Sequence, residues 1–91
     1  YGNQTASTFS TVDFLAEKTT EIFPNPAQDY FKINQSTKQV KIYNLLGKEV
    51  ESHTGNFSSE FRYDISHLEP GVYIIAIRTK RGKTTRKLLK L

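Results

Sequence analysis

An all-β chain, folded as a seven-stranded antiparallel β-sandwich of the immunoglobulin-like kind, is predicted by three features of the sequence. Short runs of β-branched and aromatic residues alternate with polar ones, most plainly where Phe61, Tyr63 and Ile65 interleave with Glu60, Arg62 and Asp64. Turn residues separate such runs at intervals of roughly eight to twelve residues, the spacing of small sandwiches. Leu68-Glu69-Pro70-Gly71-Val72-Tyr73 then places a Tyr at the opening of the penultimate strand directly after a turn, where a tyrosine corner sits. No helix is needed to complete the fold.

The 91 residues, 36% of them hydrophobic, fit one small domain with a single modest core. Residues 1–20 are rich in Ser, Thr, Asn and Gln and read as a linker, with Phe9, Val12, Phe14 and Leu15 scattered through it. Residues 9–15 read as a short extended patch, a candidate to dock on the domain. A helix over residues 13–18 is the weaker reading of the same stretch.

From residue 21 onward the pattern is strand, turn, strand. The first strand, over residues 20–23, must end or lie on an edge at Pro24-Asn25-Pro26, because each proline fixes φ and removes a backbone donor. Residues 29–34 put Phe31 and Ile33 on one face. Residues 39–44 put Val40 and Ile42 on one face, with Lys41 and Tyr43 on the other.

Asn44-Leu45-Leu46-Gly47 reads as a hairpin turn in which Gly47 takes the positive φ that ends a type I turn with a bulge. A fourth strand returns over residues 48–51 around Val50, and residues 53–60 read as a polar loop. The fifth strand covers residues 60–65. In Leu68-Glu69-Pro70-Gly71 a type II turn is expected, with Gly71 supplying the positive φ. The sixth and seventh strands span residues 72–78 and 83–91 around a turn at Lys80-Arg81-Gly82.

Charge is unevenly placed. Residues 1–77 hold six Lys/Arg against nine Asp/Glu, whereas residues 78–91 hold seven Lys/Arg and no acid. Nucleic acid is disfavoured as a partner, because these cations spread around a turn and along a strand without the exposed aromatic platforms that stack bases. Edge protection by Lys and Arg, and recognition by a protein, are the two readings that remain. The sixth strand, Val72-Tyr73-Ile74-Ile75-Ala76-Ile77, is apolar on both faces. Its outer side is therefore expected to be covered by residues 9–15, by a neighbouring loop or by a partner.

Little in the chain points to catalysis. There is no Cys, and His53 and His67 form no i, i+4 ligand pair, so neither a thiolate site nor a metal site is indicated. No Gly-rich sequence precedes a helix to hold a phosphate, and the serines lie outside any nucleophile elbow. The expectation is no catalytic residue, no metal, no cofactor and no small-molecule substrate. No run approaches the roughly 20 apolar residues of a membrane helix. The start at Tyr1, without Met or a signal pattern, suggests the C-terminal piece of a longer protein.

Four segments together resemble a known family. These are Ile22-Phe23-Pro24-Asn25-Pro26-Ala27; Val40-Lys41-Ile42-Tyr43-Asn44 followed by Gly47-Lys48; Asp64-Ile65-Ser66-His67-Leu68 followed by Gly71-Val72-Tyr73; and Lys87-Leu88-Leu89-Lys90. In this order and spacing they resemble the type A C-terminal sorting domain of the type IX secretion system of Bacteroidota, also called the Por secretion system sorting domain. The resemblance implies an address rather than an activity. A passenger crosses the inner membrane on a signal peptide, folds in the periplasm, and is carried through the outer membrane because its sorting domain is recognised.

On that resemblance residues 21–91 are the sorting domain, and residues 1–20 are the linker from the passenger in which cleavage falls. The implied partners are outer-membrane translocon and shuttle proteins and a sortase-like C-terminal signal peptidase, after which the passenger is extracellular or held at the cell surface. Pro24, Asn25, Pro26, Gly47, Gly71 and Tyr73 correspond to recurrent family positions with structural roles. Lys87, Leu88, Leu89, Lys90 and Leu91 are the residues expected to be read by the machinery. Leu91 after Lys90 departs from the family's usual basic or polar finish. The alternative is a fibronectin-like or immunoglobulin-like adhesion or stalk module at the end of a surface protein.

Overall fold

A computed structural model describes residues 19–91, and among them every regular element is a strand. The strands are β1 (Ile22–Phe23), β2 (Tyr30–Ile33), β3 (Thr37–Tyr43), β4 (Glu49–Phe57), β5 (Tyr63–Asp64), β6 (Gly71–Thr79) and β7 (Gly82–Lys90). They form two antiparallel sheets, one ordered β1-β2-β5 and the other β4-β3-β6-β7. This is the immunoglobulin-like sandwich that the spacing of turns predicts.

The core follows from period-two alternation. Val40 and Ile42 of β3 lie opposite Ile77 and Ile75 of β6, and Tyr73 lies opposite Leu88 of β7, so these side chains share the inner face. Phe31 and Ile33 meet them from the smaller sheet, with Tyr63 and Ile65 beside them. All but Tyr73 are at most 1% exposed. Each such side chain contributes about 1.5–3 kcal/mol by leaving water. Tyr63 stacks on Phe31 with ring centroids 5.0 Å apart, and its hydroxyl meets that of Thr37 at 2.7 Å. That pair satisfies two polar groups inside an apolar core, and burial raises the Tyr63 phenol above its ordinary pKa.

Turn chemistry sets the ends. At the β3–β4 hairpin Gly47 has φ +85°, and the Asn44 carbonyl accepts from its amide at 3.0 Å. The Asn44 side chain accepts from Leu46 and Lys48 as well, which holds the turn from inside. Tyr73 donates its hydroxyl to the Glu69 carbonyl at 2.7 Å, the hydrogen bond of a tyrosine corner.

Three elements differ from the sequence-based expectation. β4 continues through Phe57, where a polar loop was expected, because its backbone pairs with β3 although few of its side chains are buried. An edge strand with little burial leaves no hydrophobic period to read. β5 is only two residues long, since Phe61 leaves the ladder to pack on Phe57 and Tyr63 with centroids 4.8 Å from each. Gly71 has φ +152° but already pairs with Lys90 as the first residue of β6, and the hydrogen-bonded turn lies earlier, from the Ile65 carbonyl to the Leu68 amide.

Candidate recognition strand

β7 holds four of the five residues on which recognition was expected to rest, and its pleat divides them. Leu88 faces the core with no exposure and Lys90 is 7% exposed, whereas Leu89 is 40% exposed and Lys87 also faces solvent. Leu91, just past the strand, is 54% exposed. The five do not form one exposed surface. Leu88 and Lys90 belong to the packing, with the Lys90 stem buried and its Nζ donating to the main-chain oxygen of Leu91 at 3.0 Å.

A side-chain clamp closes the free edge of the same strand. Asn25 Nδ2 donates to the Lys87 carbonyl at 2.9 Å, and Asn25 Oδ1 accepts from the Leu89 amide at 3.1 Å. The Ala27 amide then donates to the Leu89 carbonyl at 2.9 Å, and the Leu91 amide to the Ala27 carbonyl at 2.8 Å, a short parallel bridge. The flanking prolines, both after cis bonds, have no N–H to offer. Asn25 replaces the missing backbone partner because its amide carries one donor group and one acceptor group, like a peptide unit. Ala27, 1% exposed, is small enough to lie against the strand.

Further along, Arg86 Nε donates to the Thr20 carbonyl at 2.9 Å. The outer edge of β7 is therefore lined by the domain's own first residues, and edge pairing is prevented by a covering segment as well as by charge. Asn25 reads in the sequence as one turn residue among several. Its only signal is its position between two residues that cannot donate.

The histidines are occupied. His53, on β4, and His67 each place Nε2 on the Glu51 carboxylate, at 2.8 and 2.7 Å, so one Glu joins β4 to the segment after β5. Asp64 accepts from both the Ser66 amide and its hydroxyl, at 2.8 and 2.7 Å, and these bonds with nearby His67 hold its carboxyl below the usual range. Among the described residues no group of three or more His, Cys, Asp or Glu is disposed to hold a metal ion.

Residues 21–91, which include both sheets and the clamp, match the family described as the secretion system C-terminal sorting domain. The chain belongs to that family. A sorting domain of this family is a type IX secretion signal, which directs its passenger across the outer membrane to the cell surface or the extracellular space. Ulvan lyase NLR42 of Nonlabens ulvanivorans, a member of the Bacteroidota, is 34% identical over 80 residues. The overlap takes in 85% of this sorting domain chain and 15% of the lyase, so the chain spans a small part of that relative's length.

Proposed function

We propose that the secretion machinery reads this sorting domain on the outward side of β7, contacting Lys87, Leu89 and Leu91, while Leu88 and Lys90 anchor the strand for reading. The observation that carries this is the split in exposure along residues 87–91: two side chains are committed to packing and three are offered to solvent. The clamp from Asn25 supports it further, because it occupies the strand's edge and leaves the outward face for a partner.

The partners on this reading are outer-membrane translocon and shuttle proteins, followed by a sortase-like peptidase that cuts in residues 1–20, the linker to the passenger. Pro24, Asn25 and Pro26 hold the last strand, Gly47 turns the β3–β4 hairpin, and Gly71 and Tyr73 set the start of β6. On this reading the domain is an address with no catalytic role, and its two histidines are engaged by Glu51, one within β4 and the other from the segment after β5.

The test is secretion of a fluorescent passenger fused ahead of residues 1–91, with a periplasmic signal, in a strain that has the pathway. Lys87→Glu with Leu89→Asn is expected to retain the passenger in the periplasm while the purified domain melts at the unchanged temperature. Export equal to that of the parent fusion would overturn the proposal.

A further inference from the structure

Cations gather at one end of the sandwich. Register places Thr54, Gln39, Arg78 and Lys83 in one row across the four strands of the larger sheet, at the end where the β6–β7 hairpin turns. Lys38 adjoins that row on β3, and Lys80 and Arg81 form the turn; all five Lys/Arg residues are exposed. The segments that build this end, residues 36–39, 54–58 and 78–84, contain no Asp or Glu. Ion pairs among the described residues involve Lys32, Lys41 and the two histidines, so Lys38, Arg78, Lys80 and Lys83 have no acidic partner among them. Lys38 donates to the neutral Asn56 side chain at 2.9 Å, which orients its charge without cancelling it.

Apolar groups adjoin these cations. Two surface hollows of about 390 and 440 Å³ share Lys38, Asn56 and Lys80. Phe57 lines the first, and Phe61, 39% exposed, packs against Phe57 with ring centroids 4.8 Å apart. Cations beside an exposed aromatic ring suit an anionic membrane surface, where charge meets the headgroups and the ring reaches their apolar boundary. The cations come from β3, β6, β7 and the last turn. With neighbouring strands about 4.8 Å apart they spread over about 10 Å, wider than one phosphate, which favours a surface of many headgroups over a single free anion. The route of the sorting domain, across the outer membrane, brings it to such a surface.

We propose that this end of the domain docks on a membrane surface rich in anionic lipid headgroups, with Lys38, Arg78, Lys80 and Lys83 against the headgroups and Phe61 at their apolar boundary. The contact is separate from the outward side of β7 at residues 87–91. Lys83 pairs with Arg78 and Lys87 with Ile74, about 13 Å further along the strand. A domain resting on its hairpin end leaves that stretch free for the machinery.

Sedimentation of the purified chain with vesicles tests this. Vesicles containing phosphatidylglycerol are expected to carry the chain down at low salt, and phosphatidylcholine vesicles to leave it in solution. At about 1 M salt, where the screening length is about 3 Å, the chain is released. Lys38→Ala with Lys80→Ala is expected to weaken partitioning about 30-fold, and Phe61→Ser several-fold, with melting curves showing that each variant is folded. Lys87→Glu with Leu89→Asn is expected to lose much less, so this contact and the reading of β7 are judged independently. Equal sedimentation with both lipids, none with either, or an equal loss from the β7 pair overturns the proposal. So does complete release by soluble polyphosphate together with no effect of Phe61→Ser, since the ligand is then a free polyanion.

Discussion

The Leu89 amide donates to the side-chain oxygen of Asn25 at 3.1 Å, across 64 positions of sequence. This bond and its companion to the Lys87 carbonyl fasten the domain's first loop to its last strand, so the two ends of the fold are held as one unit. Asn25→Ala removes two exposed hydrogen bonds to the last strand, each contributing about 0.5–1.5 kcal/mol net. At roughly 4–8 °C per kcal/mol for a domain of this size, the melting temperature falls by several degrees or more. Hydrogen exchange at Leu89 and Leu91 is expected to accelerate relative to Ile42 and Ile75.

Neighbouring leucines of β7 should behave differently. Leu88→Ala opens a cavity in a core position and costs about 2–5 kcal/mol, whereas Leu89→Ala trims a side chain that is 40% exposed and outside the core, and costs clearly less. Urea denaturation of the two variants measures the contrast directly.

The buried hydroxyl pair is a cycle in miniature. Tyr63→Phe or Thr37→Val alone leaves the other hydroxyl unsatisfied, costing about 1–3 kcal/mol, while the double variant is close to neutral because neither polar group remains. Additive losses in the double variant would show that the 2.7 Å contact is not a coupled pair.

Acid stability has an identifiable contributor in Asp64. Its carboxyl is held below its ordinary range when folded, chiefly by the Ser66 amide and hydroxyl, so its contribution is present above the unfolded pKa and is lost as pH falls through the folded value. Asp64→Asn is therefore expected to be less stable than the parent at pH 7. The difference shrinks as pH drops below about 4, near the ordinary carboxylate value. Denaturation curves across that range check the convergence.

The legible part of this chain is the part governed by local rules. The alternation of Val40 with Ile42 and of Tyr63 with Ile65 marked inward faces, and Leu68 to Tyr73 marked a corner, because periodicity and turn chemistry act within a few residues. β4 beyond Ser52 was illegible, since His53-Thr54-Gly55-Asn56 pairs through its backbone and buries little. The candidate site was legible only as a position. That Leu88 and Lys90 turn inward depends on the register of β7 with β6, and Asn25 gains its meaning from a partner 62 to 64 residues away.

The most direct test of the central claim, reading on the outward side of β7, is site-specific photo-crosslinking in cells exporting the fluorescent fusion. With the photoreactive residue at position 89, crosslinks to outer-membrane proteins of the secretion machinery are expected. At Glu60, which is exposed in the segment before β5, they are not. Equal crosslinking from both positions, or none from position 89 while the passenger is still exported, would contradict the account.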